Sequence, residues 1–136
     1  MQDRPTYAEL LEAVQHFLET DALPVLEGPK KFHARVAANV LAIVRRELES
    51  EDTQLRAEWE RLRELLRFAA APPTDRAELR RQVGQYTAEL CERIRGGDAD
   101  AGAWRSAVVG HVRQTVEDKL RVANPKYLGL ETAGKD

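Results

Sequence analysis

Arg35, Asn39, Ala42 and Arg46 follow one another at i, i+4, i+7 and i+11, so on a helix two guanidinium groups point along one edge with an amide between them. Forked N–H donors at that spacing can grip a carboxylate or a phosphate. His33 falls near the middle of an apolar arc on the same helix, formed by Phe32, Val36, Ala37, Val40, Leu41, Ile43, Val44 and Leu48. His33, Arg35, Asn39 and Arg46 are therefore the candidate ligand- or partner-binding residues. Each has a structural alternative. The arginines could pair within the chain, because residues 1–29 hold six acids (Asp3, Glu9, Glu12, Glu19, Asp21, Glu27) against Arg4 alone. His33 could bond a backbone carbonyl or face the loop before its helix.

Other chemistry is sparse. His111, Thr115 and Asp118 share one helix at spacings of four and three, but side chains on one helix do not converge as acyl transfer requires. Glu12 and His16 lie opposite Leu10 and Val14, where water is the expected neighbour, and two ligands rarely hold an ion. Cys91 sits near a helix C-terminus, which does not activate a thiol. There is no Gly-rich phosphate loop, nucleophile elbow or His-Glu-x-x-His motif. No catalytic residue, metal site or cofactor is expected.

The elements that must position these residues all read as helices. Thr6-Tyr-Ala-Glu9 is a capping box opening a helix over 7–21, with Tyr7, Leu10, Leu11, Val14, Phe17 and Leu18 on its apolar face. Pro24, Gly28 and Pro29 form a linker before a second helix, 30–49, whose apolar arc spans about half the circumference and predicts burial against several neighbours. A third helix, 53–69, carries Leu55, Trp59, Leu62 and Leu66, interleaved with pairs such as Arg56–Glu60, Glu58–Arg61 and Glu64–Arg67. Pro72-Pro73 ends it. Asp75 caps a fourth, 76–95, with a stripe of Leu79, Val83, Tyr86, Leu90 and Ile94, stopped by Gly96-Gly97. A fifth, 103–122, presents Trp104, Val108, Val112, Val116 and Leu120 before Asn124-Pro125, after which Tyr127 and Leu128 could dock back. The expectation is an all-α, compact bundle of five helices: one domain over 1–128 and a flexible tail over 129–136.

At 136 residues, 43% hydrophobic and 32% charged, the chain can bury a core without a metal or a disulfide, and its single cysteine excludes an internal bridge. Acids and bases nearly balance, 23 against 21, which argues against nucleic acid or an anionic membrane as partner. No apolar run approaches the ~18–20 residues of a membrane span, and the first residues do not read as a signal peptide; a cytoplasmic protein is expected.

Residues 32–48, taken with Asp3-Arg-Pro5, Leu10-Leu-x-Ala-Val14, Pro24-x-Leu-x-Gly28 and Lys119-Leu120…Asn124-Pro-Lys-Tyr-Leu128, resemble a family of small bacterial proteins classed as a domain of unknown function. The resemblance covers about 4–50 and 105–128. It implies genes placed near aminoglycoside-phosphotransferase-like kinases and acyl-CoA dehydrogenases, hence an accessory role beside such an enzyme. It transfers no catalytic residue. The functional expectation is a non-enzymatic accessory or interaction protein with a protein partner, itself a two-fold homodimer. The alternative is a binder of an acyl or CoA-like anionic ligand, held between helices with Arg35 and Arg46 at its charged end.

Overall fold

A computed structural model describes residues 3–129 of the chain, which contain four helices and no strand among the described residues. The all-α class expected from the sequence holds; the count of five does not. Helix α1 (Tyr7–Phe17) opens with the predicted capping box: the Glu9 N–H donates to Thr6 Oγ1 at 3.3 Å, and the Thr6 N–H donates to Glu9 Oε2 at 2.7 Å. It runs on through a π-helical turn, Leu18–Ala22, and a short turn, Leu23–Val25. The Thr20 hydroxyl donates to the His16 carbonyl at 2.7 Å there, a bond that competes with the helix ladder.

Helix α2 (Gly28–Leu66) fuses the second and third predicted helices into 39 residues. Ser50 and Asp52 have the chemistry of helix caps, yet no proline or glycine lies near them, so the ladder continues. Asp52 bonds Arg56 one turn on at 3.0 Å, and Glu51 takes Arg76 and Arg80 of the following helix. The end falls at Leu66 instead of residue 69, because Arg67 adopts a left-handed φ of 58° while its N–H bonds the Arg63 carbonyl at 2.9 Å. Arg67 therefore leaves the helix and its expected pairing with Glu64.

Helix α3 (Arg76–Arg95) starts on Asp75, whose carboxylate accepts the Glu78 N–H at 2.8 Å, and stops at Gly96 and left-handed Gly97 (φ 91°). Helix α4 (Gly102–Ala123) is followed by a single 3-10 turn, Pro125–Leu128. Pro125 is buried there and Tyr127 is exposed, so the docking expected of Tyr127 falls to the proline. Of the expected flexible tail, 130–136 lie outside the described residues.

Contacts gather into two compact units, Met1–Glu49 and Ser50–Asp136, with the boundary inside α2. The second unit holds a core of Trp59, Leu62, Leu65, Leu79, Val83, Leu90 and Val108. Trp59 is wholly buried, and its Nε1–H donates to Gln82 Oε1 at 2.9 Å. Phe68 stacks on Tyr86 at 4.1 Å and meets Trp59 edge-on at 5.5 Å. The α3 stripe faces this core as its spacing predicts. The α4 stripe does so only at its start: Val108 is in the core and Trp104 packs against it, whereas Val112 and Val116 are exposed and His111 and Val122 are buried.

The first unit is α1 with the first half of α2. Arg45 joins them, donating from Nη1 to Gln15 Oε1 at 3.0 Å and pairing through Nη2 with Glu12 Oε1 at 3.2 Å. Ala38 alone is buried among its described residues. The half-circumference arc of 32–48, expected to be the best covered in the molecule, is largely exposed instead. Two helices shelter only the strip between them, and among its described residues this unit has no third long helix to lay over the rest.

Candidate functional site

Nine of the exposed large apolar side chains of the first unit fall on its two helices. Tyr7, Leu10, Val14 and Phe17 run along α1, and Phe32, Val36, Val40, Val44 and Leu48 run along α2, each between 37% and 62% exposed. Spacings of three, four and three on α1 and of four throughout on α2 make each set a continuous stripe. Monomeric proteins expose single apolar residues commonly and stripes of this size seldom, which makes the unit a candidate binding surface.

The candidate residues read from the sequence lie on this unit. His33 is exposed, its ring edge-on to Phe32 at 5.6 Å between centroids. Arg35 and Asn39 are exposed and Arg46 is half-buried. Arg35 makes no ion pair among the described residues. Of the six acids that could pair with this strip, Glu12 is engaged with Arg45, and Glu9 with the Thr6 cap and Arg4. Arg45, the residue that ties the unit together, was missed by sequence reasoning. Glu12 and Gln15, one turn apart on α1, are the acceptors that could have signalled a cationic partner.

A second candidate lies in the other unit. Arg61, Glu64, Leu65, Arg67, Ala103, Trp104, Ala107 and His111 line a pocket of about 400 Å³. The Trp104 Nε1–H donates to the Leu65 carbonyl at 3.1 Å, and the Arg93 guanidinium sits 4.2 Å over the indole, so the ring is fixed. Asp118 is committed, accepting Arg61 Nη2 on Oδ2 at 3.1 Å and Gln114 on Oδ1 at 2.9 Å. Arg61 therefore has its partner, Asp118, on another helix instead of at Glu58. Nδ1 of His111, Oγ1 of Thr115 and Nε of Arg61 are buried with no hydrogen-bond partner among the described residues. Burial pushes the His111 imidazole below its usual range, and the nearby Arg61 charge adds to the shift. The charged form of His111 is thus disfavoured in a pocket that also carries two arginines. Sequence spacing gave no hint of it, since Arg61, Trp104 and His111 come from distant parts of the chain.

No helix among the described residues is long and apolar enough to cross a membrane. No curated protein and no solved structure matches the chain. Residues 24–127 match the family model of a domain of unknown function, DUF6285, and the chain belongs to that family.

Proposed function

We propose that this protein is a non-enzymatic accessory protein that works by assembling with other protein chains. The carrying observation is the exposed apolar surface of the first unit, where nine large side chains on its two helices face water and Ala38 alone is buried. Leaving such a surface in water forgoes the main driving force of folding and association, about 25 cal/mol per Å² of apolar area. The Arg35–Asn39–Arg46 edge beside it supplies polar rim contacts of the kind that surround an apolar interface core. The resemblance seen in the sequence points to a phosphotransferase-like kinase or an acyl-CoA dehydrogenase as the enzyme served. Co-expression with each candidate enzyme, followed by size-exclusion chromatography with light scattering, tests this. A stable complex that Val40→Asp or the Arg35→Ala/Arg46→Ala pair disrupts is the expected result. A chain that assembles with nothing, itself included, removes the reading.

A small-molecule reading rests on the pocket of the second unit. Arg61 and Arg67 would meet an anionic group and Trp104 an apolar one, which suits an acyl or CoA-like ligand, although the arginines differ from those singled out by spacing. Calorimetric titration with coenzyme A and a short acyl-CoA tests it, with Arg67→Gln expected to weaken binding. Heats no larger than those of dilution would dismiss it.

A further inference from the structure

We infer that the apolar face of the first unit is the interface of a two-fold homodimer in which α1 of each chain lies on the first half of α2 of the other. This rests on the assembly reading above and names the partner as a second copy of this chain.

Area is the first argument. With ordinary residue areas, the exposed parts of the nine apolar side chains come to roughly 800 Å², close to what each partner contributes to a standard stable interface. Two helices from each chain complete a four-helix arrangement, in which the face that a lone hairpin leaves wet becomes its core. Tyr7, Leu10, Val14 and Phe17 already have the three-and-four spacing of a helix seam.

Charge is the second, and it fixes the pairing. Residues 7–27 contain five acids (Glu9, Glu12, Glu19, Asp21, Glu27) and no Lys or Arg. Residues 28–46 contain five bases (Lys30, Lys31, Arg35, Arg45, Arg46) and no acid. Within the chain Glu12 and Arg45 pair across these two segments, while Glu19, Asp21, Glu27, Lys30, Lys31 and Arg35 make no ion pair among the described residues. A two-fold axis repeats every contact, so α1 packed on its own copy would confront acid with acid. Placing α1 on the partner's α2 sets acid against base twice. Self-association is thus complementary in charge, whereas a partner with one sign of charge would suit only half of this surface.

Sedimentation equilibrium of the full chain tests the inference, with helix content followed by circular dichroism so that unfolded variants are recognised. The wild type should weigh two chains at micromolar concentration. Val36→Asp with Val40→Asp, both at exposed positions, should leave helix content intact and weaken the dimer on the order of 100-fold or more. Charge reversal tests the pairing independently. Glu19→Lys with Asp21→Lys should weaken self-association, as should Lys31→Glu with Arg35→Glu. Mixing these two variants should restore a mixed dimer. A wild type of one-chain mass at high concentration overturns the inference, as does a dimer indifferent to the valine substitutions. Failure of the mixture to restore association overturns the α1-on-α2 pairing. If the wild type is monomeric yet the valine variant loses a complex with a co-expressed enzyme, the inference fails and the assembly reading survives; if it is monomeric and no complex forms, both fail.

Discussion

Arg45 of α2 places its guanidinium between two acceptors of α1, 3.2 Å from Glu12 Oε1 and 3.0 Å from Gln15 Oε1. These bonds reach across thirty residues of chain and join two helices of a unit in which Ala38 alone is buried and Leu11, Leu18, Leu41 and Ile43 are half-buried. The first unit therefore relies on a charged contact to a degree that the second, with its Trp59 core, does not.

A double-mutant cycle measures that reliance. Arg45→Ala and Glu12→Gln should each destabilise the first unit, with a coupling of about 0.5–1 kcal/mol that shrinks in high salt, because Glu12 remains well exposed. Urea titrations at two ionic strengths read the coupling. A coupling unchanged by salt would place the contribution of Arg45 in packing.

The two units should respond oppositely to truncation. Trp59→Ala, in the buried core, should cost about 3–5 kcal/mol, and Val40→Ala at an exposed position less than about 0.5 kcal/mol at concentrations where the chain is monomeric. Denaturant melts of the dilute variants make the comparison. A large monomer penalty at Val40 would mean that its stripe is covered within the chain.

Arg67→Gly should stabilise. Arg67 holds a left-handed φ of 58° at the end of α2, a conformation that glycine adopts without a Cβ clash, and the gain should be about 0.5–1 kcal/mol. A thermal melt shows it as a raised Tm. Loss of stability would indicate that the Arg67 side chain makes contacts worth more than its backbone strain.

Acid should act on the second unit in two stages. His111 is held below its usual value of 6.5 by burial and then by Arg61, so the unfolded chain takes up a proton first and stability falls as pH drops below about 6.5. Glu78 is held at about 2 by its hydrogen bonds to Arg81 and Gln82, so its contribution is complete above about 4.5 and is lost as pH falls from there towards 2. His111→Gln should flatten the upper stage and Glu78→Gln the lower in melts taken from pH 7 to pH 3. A pH dependence that survives both substitutions would have to come from other groups.

The sequence by itself determined what local chemistry determines. The Thr6 and Asp75 caps, the Gly97 stop and the α3 stripe of Leu79, Val83 and Leu90 all follow from backbone donors, glycine's freedom and helical period. The alignment of Arg35, Asn39 and Arg46 along one side of a helix was likewise legible from their spacing. Only the tertiary structure decided which apolar stripes find partners. An amphipathic period says that a face avoids water, and it does so equally for Trp59, which is wholly buried, and for Val40, which is half exposed. It also decided that Glu51, inside the continuous helix, meets Arg76 and Arg80 of another element. The same holds for Arg45 with Glu12 and Arg61 with Asp118: charges far apart in sequence become partners only when helices pack, since a pairing energy depends on distance in space and spacing along the chain fixes that distance only within one helix.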